Sequence, residues 1–367
     1  MAAQQTPGSS ASAPAPTMAR LSRLAWVRGA RVLTQGGGAT FAVVALVLAL
    51  LPTLFDGFFG FSAGFQLHRI TLIGIFVIAA FAQNILTGYA AQASLGNAAF
   101  FGVGGYMLAW LTNDLGKPYW AGILVAVGVA AVVGILVGGP ALRISGAYLA
   151  IATLGLVFVT VSLLDLWDTT AGRQNYDLSN LPALLTDDHT LYYTILVITV
   201  VLLWLGRNLL RSRVGRAWIA IRDSEAAAEA VGVNLARFKL LAFVVSAMLT
   251  GLAGALYATW ATTASSSMAS ADQTIAFLTM IIVGGLGSIT GSILGAIFVG
   301  FLPLLLGQLP SPLTIGSAQI QVSTLTTGIY GMLLLLALVF FPSGLSSLGG
   351  RGRALWTRLR SRAGGQP

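Results

Sequence analysis

Apolar runs long enough to cross a membrane recur along the whole chain, and they constrain its fold more than any other feature. A hydrocarbon core about 30 Å thick needs roughly 17–25 mostly apolar residues per helix. The ten candidate spans are residues 39–55, 70–86, 98–112, 119–141, 145–165, 191–206, 240–263, 274–287, 291–307 and 321–341. A lipid-exposed backbone must satisfy its own hydrogen bonds, and the runs lack the alternation of a membrane barrel. The sequence therefore predicts an all-α, polytopic membrane helical bundle of about ten transmembrane helices.

Charged side chains are rare, and their placement predicts the orientation of the bundle. Only 8% of the 367 residues are charged, against roughly 25% in soluble domains, which excludes a soluble globule. If the N-terminus is cytoplasmic, all of the 20 lysines and arginines except Arg69, Lys117 and Arg173 fall on the inner side. This positive-inside bias predicts that both termini are cytoplasmic. Anionic membrane lipid explains the net charge of +9, so no nucleic-acid partner is expected.

The predicted spans divide the chain into two tails and one membrane domain. Residues 1–38 are predicted to be a disordered stretch followed by a basic cytoplasmic tail, and residues 342–367 a second basic cytoplasmic tail. The transmembrane domain occupies residues 39–341. Its longest inner loop is predicted at 207–239, and an external loop that contains several aspartates is predicted at 166–190.

The sequence offers few groups that could carry out chemistry. Cysteine is absent and the two histidines, His68 and His189, are far apart along the chain, so neither a disulfide nor a metal centre is expected. Neither Lys117 nor Lys239 stands in a phosphate-binding loop, so ATP hydrolysis by that route is excluded. The centres of the spans carry no acidic residue, which disfavours proton coupling. We therefore predict that the chain is not an enzyme, and that any active transport is powered by another subunit.

The stretch RDSEAAAEAVGVNLARFK, residues 222–239, interrupts the apolar sequence with charges. Either residue of the pair 223–224 can cap a helix, and Glu225 and the alanines after it suit the first turns. Gly232 can end the helix in a left-handed conformation. A short helix of about two turns is therefore predicted, with Glu225 and Glu229 on one face. It could be a solvated connector, or a docking helix that receives force from a soluble partner.

Four segments resemble one family of membrane permeases. Residues 215–258, GRAWIAIRDSEAAAEAVGVNLARFKLLAFVVSAMLTGLAGALYA, are similar to the cytoplasmic loop and following helix of ABC-importer permeases. More narrowly, they resemble the LivM-like permeases of branched-chain amino-acid uptake systems. The other segments are LTGYAAQASLGNAAFFGVGGY at 86–106, RISGAYLAIATLG at 143–155 and MIIVGGLGSITGSILGA at 280–296. The four occur in the order that the family shows, which makes the resemblance specific.

This resemblance implies the permease subunit of an ATP-driven importer in the bacterial inner membrane. In ABC importers the Glu-Ala-Ala segment and the glycine after it form the coupling helix, which sits in a groove of the ATPase. The implied ATPase-coupling residues are Arg222, Asp223, Glu225, Ala226, Ala227, Glu229 and Gly232. The implied partners are two ABC ATPase subunits, which bind ATP and magnesium, a second LivH-like permease, and a soluble extracytoplasmic binding protein. This chain would supply half of the translocation pore and hold no cofactor itself.

Polar residues beside glycines are the candidates for a substrate path. Interrupted helices can offer such groups to a substrate where they line protein or a cavity. The candidate residues are Tyr89, Gln92, Ser94, Asn97, Tyr148 and Thr153. Ordinary contacts between helices are the alternative role for each of them. Gly287, Gly291 and Gly295 repeat every fourth residue and are predicted to pack one helix face against another.

Departures from the LivM-like pattern bear on the substrate. Ala91 and Asn97 stand where such relatives commonly have a glycine and a histidine, Ala147 replaces an often acidic residue, and the stretch 169–182 also differs. Branched-chain or other neutral amino acids are the expected cargo, with urea, amides or carboxylates as alternatives. The alternative function is a stand-alone secondary transporter or facilitative channel for a small solute such as urea or an amide.

Overall fold

The described part of the chain is mostly helical. The structure is a computed structural model that describes residues 63–306 except 143, 145, 183 and 184, with short pieces at 313–315, 318–320, 328–329, 331–332 and 335–336. Five of its helices are long and apolar enough to cross a membrane. These five cover Leu67–Tyr89, Tyr119–Ala141, Ala147–Thr170, Asp188–Arg211 and Leu235–Ala261. The prediction of a polytopic helical membrane protein is confirmed.

The elements follow one another with short connections. The helices are α1 (Ala63–Gln83), α2 (Asn97–Asn113), α3 (Tyr119–Ala141), α4 (Ala147–Thr170), α5 (Asp188–Arg211), α6 (Arg213–Asp223), α7 (Glu225–Ala230), α8 (Leu235–Ala261), α9 (Ala271–Gly284) and α10 (Ile289–Leu306). A π-helical segment, Asn84–Tyr89, continues α1, and a 3-10 turn, Ser266–Ala269, precedes α9. Two antiparallel strand pairs join β1 (Tyr176–Asp177) to β2 (Thr263–Ala264) and β3 (Leu313–Ile315) to β4 (Ala318–Ile320).

Eight of the ten predicted spans coincide with helices of the structure. The span at 39–55 and most of the span at 321–341 lie outside the described residues, as do both predicted tails. Several helices, among them α4, α5 and α9, end elsewhere than predicted. Helix α4 continues past residue 165 to Thr170, and α9 stops at Gly284 because Gly285, with a φ of +121°, leaves the helical conformation. The direction in which the helices cross the membrane stays a prediction.

Helix α8 lies at the centre of the bundle and packs against α1, α2 and α3. Glycines bring α2 and α8 into backbone contact. A Cβ atom at Gly104 would lie 1.9 Å from the carbonyl oxygen of Gly251, and a Cβ atom at Gly254 would lie 1.9 Å from that of Phe101. Small residues are the usual means by which helices approach closely where lipid is the solvent. The α2–α8 contact therefore depends on the absence of side chains at these positions.

Helices α9 and α10 form a hairpin that packs against α1. Two of the three glycines predicted to pack helix against helix lie inside it: a Cβ atom at Gly295 would lie 1.8 Å from the carbonyl oxygen of Met280, and one at Gly291 would lie 2.5 Å from that of Gly285. Gly287 does not lie on the helix face that was predicted for it. It belongs to the turn before α10 and has a φ of +71°, a conformation that favours glycine.

The two ends of the bundle differ in charge. Residues 207–239 and the loop 171–187 flank opposite ends of α5, which is 24 residues, or about 36 Å, long. We call the end of the bundle that carries residues 207–239 the basic end, and the end that carries the loop 171–187 the acidic end. At the acidic end, Asp168 was predicted to lie in the external loop, but it is buried in the last turn of α4. It accepts hydrogen bonds from Tyr106 Oη (2.5 Å) and Arg173 Nε (3.3 Å), which compensate for the burial of its charge.

Candidate functional site

The short helix predicted before Gly232 is present as α7, and a single residue with an extended backbone conformation separates it from α6. Ser224 separates the two helices, and its side chain accepts a hydrogen bond from Ala227 N (3.3 Å), which caps the start of α7. Gly232, with a φ of +83°, donates to the Glu229 carbonyl (2.9 Å) just after the helix ends. The predicted capping serine and terminal glycine are thus confirmed. We call residues 213–232, which comprise α6, α7 and the residues that join and end them, the elbow.

Most side chains of α7 face away from the rest of the chain. The exposed ones are Glu225, Ala226, Ala227, Glu229 and Ala230. Ala228, in contrast, is buried, and Val231 just after the helix is 77% exposed. A connector that only crosses water gains nothing from an exposed valine beside three exposed alanines. A groove on another protein would bury this apolar surface. The exposure of these residues therefore favours the docking role.

Two contacts fasten the elbow to the start of α8. Trp218 of α6 is fully buried, and its Nε1 donates to the Phe238 carbonyl at 2.8 Å. Lys239 Nζ donates to Glu225 Oε2 at 2.7 Å and so links α7 to α8. An exposed ion pair of this kind contributes little, about 0–1 kcal/mol, whereas the buried tryptophan combines a large apolar contact with a satisfied N–H group. Trp218 is therefore the main attachment of the elbow to α8.

Arg222 and Asp223, the two residues that flank the Glu-Ala-Ala segment, point in different directions. Asp223 is exposed. Arg222 is partly buried, and its Nη1 donates to the carbonyl of Gly88, in the π-helical segment, at 2.6 Å. Burial lowers the pKa of the Arg222 guanidinium below its usual value. The elbow is thus attached both to α8 and to the end of α1.

Asn84, at the start of the π-helical segment, joins α1 to the hairpin of α9 and α10. Its Nδ2 donates to Ser288 O (2.9 Å) and Ser292 Oγ (2.8 Å), and its Oδ1 accepts from Gly287 N (2.7 Å). The side chain is fully buried, so these bonds are made away from water. π-Helical turns inside α-helices are frequent at functional sites. Sequence reasoning missed Asn84, whose one signal is that it is a polar residue inside a predicted span.

Five of the six candidate path residues are buried where the chain passes from α1 to α2. These five are Tyr89, Gln92, Ser94, Asn97 and Thr153. The sixth, Tyr148, is 77% exposed on α4. The buried ones lie in or beside residues 90–96, which interrupt the helical chain close to the elbow. An interruption of this kind was expected from the glycines and polar residues of the sequence.

Hydrogen bonds occupy most of these polar groups, and all but the local one between Gly96 and Ser94 join different elements. The bonds are Gln92 Nε2 to Lys239 O (3.0 Å), Leu95 N to Thr153 Oγ1 (2.9 Å), Gly96 N to Ser94 Oγ (3.2 Å) and Asn97 Nδ2 to Ser246 Oγ (3.0 Å). They tie residues 90–96 and the start of α2 to α4 and α8. Asn97 Oδ1 is buried and has no protein partner within the described residues. A role in the substrate path stays a prediction for all six candidates.

Ala91 has a left-handed backbone conformation, with a φ of +54°. This conformation costs an L-residue roughly 1–2 kcal/mol, and glycine avoids the cost. We therefore expect the substitution Ala91→Gly to raise the thermal unfolding midpoint of the detergent-solubilised protein. Ala90→Gly is the matched control, since Ala90 has a φ of −94° and gains nothing from glycine. A midpoint lowered equally by both substitutions would contradict strain at Ala91.

Comparisons with known proteins agree with this architecture. The family model for the branched-chain amino acid transport system permease component matches residues 66–340, which include the elbow and the interruption between α1 and α2. The chain is 30% identical over 296 residues to the high-affinity branched-chain amino acid transport system permease protein LivM of Escherichia coli. It is 29% identical over the same length to the LivM of Salmonella typhimurium. Each alignment covers 73% of this chain and 69% of the relative.

Proposed function

This chain belongs to the family of branched-chain amino acid transport system permease components, and we propose that it is the membrane subunit of an ATP-driven ABC importer. In this proposal it forms half of the translocation pore, and a second LivH-like permease forms the other half. ATP is bound and hydrolysed in two separate ATPase subunits, so this chain catalyses no reaction. It resides in the bacterial inner membrane with its basic end in the cytoplasm.

The observation that carries the proposal is the elbow. Its α7 is exposed, yet α6 is fixed to the helical core through Trp218 and Arg222. A simple connector would need no such attachments. A force applied to α7 by an ATPase can therefore reach the bundle as a rigid-body displacement, because the elbow cannot move independently of α8 and the end of α1.

Branched-chain or other neutral amino acids are the proposed cargo. The names of both LivM relatives, which describe branched-chain amino acid transport, support this class. A soluble binding protein would deliver the cargo to the acidic end. Because the binding protein selects the cargo before the permease meets it, its ligand can be identified by calorimetry with single amino acids. Binding of urea or an amide in preference to every amino acid would contradict the proposed cargo.

A charged side chain in the middle of α7 should disrupt ATPase docking. Ala227 is exposed, so Ala227→Arg does not disturb the fold, but in a docked complex the arginine would occupy the centre of the interface. We expect it to weaken ATPase association, and to lower ATP-driven uptake in proteoliposomes, by at least about tenfold, as for a central interface residue. The control is Ala171→Arg, compared by ATPase association alone, because Ala171 is also exposed but lies at the acidic end, where the binding protein would deliver cargo.

Reconstitution of the chain alone tests the alternative function. The proposal predicts no solute flux into liposomes that contain this chain without its ATPase subunits, and ATP-dependent uptake once the full assembly is present. Flux through the chain alone, driven by a proton or sodium gradient and unaffected by ATP, would identify a secondary transporter instead. Full uptake by the Ala227→Arg variant would contradict docking through α7.

A further inference from the structure

Arg222 occupies a junction between three parts of the molecule. Its backbone belongs to α6, three residues before α7 begins. Its Nη1 bonds the Gly88 carbonyl at 2.6 Å and lies so near Gly287 that a Cβ atom there would be 2.2 Å from it. The carbonyls of the last helical turn have no partner within the helix, and a cation there is favoured by the helix dipole. Arg222 therefore serves as a C-terminal cap, supplied by α6, for the helix formed by α1 and its π-helical segment.

The two backbone segments that meet at Arg222 are themselves joined. A Cβ atom at Gly88 would lie 2.5 Å from Gly287 N, so the π-helical segment and the turn 285–288 are in backbone contact. Asn84 bonds the same turn at Gly287 N (2.7 Å) and Ser288 O (2.9 Å). Any displacement of Gly88 must therefore displace the start of α10 as well. The π-helical segment and this turn act as one mechanical unit.

Helix α6 connects this unit to a different part of the bundle. Trp218, one helical turn before Arg222, bonds Phe238 at the start of α8, which packs with α1 as well as with α2 and α3. Arg222 bonds the unit formed by α1 and the α9–α10 hairpin. A rotation of α6 about the buried Trp218 side chain would thus move Gly88 relative to α8. That movement would act on residues 90–96, which carry two of the candidate path residues, Gln92 and Ser94, and lie between two others, Tyr89 and Asn97.

We propose that Arg222 is a positioning residue that transmits movement of α7 to the π-helical segment and to the turn before α10, and that it makes no contact with the ATPase. The proposal rests on the proposed function, because the movement originates in the ATPase. It divides the elbow into an outer part, α7, which docks, and an inner part, Arg222, which couples docking to the helices around the interruption.

The test compares variants at two positions with matched controls. Arg222→Ala removes the bond to Gly88. Its control is Arg216→Ala, since Arg216 is an exposed arginine of the same helix whose side chain, among the described residues, bonds only the Arg211 carbonyl (3.0 Å). In Gly287→Ala the added Cβ would lie 2.2 Å from Arg222 Nη1 and would therefore displace the guanidinium. Its control is Gly116→Ala, because Gly116 also has a positive φ, +55°, but no atom lies within 4 Å of an added Cβ.

The measured quantity is the amount of cargo taken up per ATP hydrolysed in proteoliposomes that contain the full assembly. We expect this ratio to fall about tenfold in Arg222→Ala and in Gly287→Ala, a size typical of coupling between two sites, and to stay near the wild-type value in both controls. ATPase subunits should still copurify with the variants. A merely structural role would reduce the yield of assembled complex and leave the ratio unchanged, and that result would overturn the proposal.

Hydrogen exchange on the isolated chain separates this inference from the proposed function. Residues 84–90 and 285–288 should exchange faster in Arg222→Ala than in Arg216→Ala, with or without partners. Equal exchange would overturn the attachment through Arg222. If exchange changes as expected but the wild-type assembly shows no ATP-dependent uptake, the proposed function fails, and the transmitting role that rests on it fails with it. If the wild type is active and Arg222→Ala keeps the full ratio, the role of Arg222 alone is overturned.

Discussion

One methyl group added at Gly254 should destabilise the bundle more than most larger changes on its surface. In Gly254→Ala the new Cβ would lie 1.9 Å from the backbone oxygen of Phe101, and no side-chain rotation can relieve that contact. Helices α2 and α8 would have to separate, although α8 packs on α1 and α3 at the same time. Overpacking a well-packed site costs typically 1–3 kcal/mol, and we expect about 3 kcal/mol here.

The same substitution at Gly128 provides the control for Gly254→Ala. Gly128 lies within α3, and no atom of the described residues lies within 4 Å of an added Cβ, so alanine there keeps the packing and improves helix propensity by up to about 1 kcal/mol. Thermal unfolding in detergent, followed by tryptophan fluorescence and size-exclusion chromatography, should therefore show a lowered midpoint for Gly254→Ala and an equal or raised one for Gly128→Ala. Equal midpoints for the two variants would show that the α2–α8 contact is not tight.

These two glycines illustrate how far sequence could predict the packing. Both stand in long apolar stretches with similar neighbours, and the chain has 44 glycines. A sequence shows that a glycine permits close approach, but only the arrangement of helices shows whether another backbone occupies the space. The same limit applies to Gly287, whose spacing from Gly291 and Gly295 suggested one helix face. The turn that places it outside α10 is set by the left-handed φ values of Gly285 and Gly287.

The helices themselves were predictable because their signals are local. Length and apolarity located eight spans, and α7 was predictable because Ser224 and Gly232 are strong helix boundaries, whereas α6 was not predicted. The extension of α4 to Thr170 was not predictable, since polar residues such as Asp165 and Asp168 are typical of a loop. Asp168 stays in the helix because Tyr106 of α2 and Arg173 bond its carboxylate, and those contacts are not local.

The candidate path residues show a further limit of reasoning from residue type. A polar side chain in a span can line a pore or bond another helix, and sequence alone favours neither. In the structure Gln92 bonds the Lys239 carbonyl and Asn97 bonds Ser246, so both help to hold the interruption in place. Asn84 contributes more such bonds than either, although no motif pointed to it. Asn84 is important because it bonds three residues, Gly287, Ser288 and Ser292, that lie more than two hundred positions away along the chain. Such long-range contacts leave no local signal in the sequence.

Substitution of Asn84 by leucine should therefore release the α9–α10 hairpin from α1. Leucine keeps a similar volume, so no large cavity forms, but the partly buried Gly287 N–H loses its acceptor and the buried bonds to Ser288 O and Ser292 Oγ disappear. An unsatisfied buried group costs about 1–3 kcal/mol, and with the lost bonds we expect about 2–4 kcal/mol of destabilisation. Local hydrogen exchange should rise first in residues 84–90 and 285–292.

Thr279→Val is the matched control for the Asn84→Leu prediction. Thr279 is also fully buried, but its hydroxyl donates to the Ile275 carbonyl (2.8 Å) within its own helix, so valine removes a local bond and detaches no other element. We expect the midpoint of thermal unfolding to change little in Thr279→Val and to drop clearly in Asn84→Leu. A drop of the same size in both variants would mean that burial of a polar group, rather than the link between α1 and the hairpin, determines the stability. A drop confined to Asn84→Leu, with exchange rising at both 84–90 and 285–292, would establish that these two segments move as the single unit on which transmission through Arg222 depends.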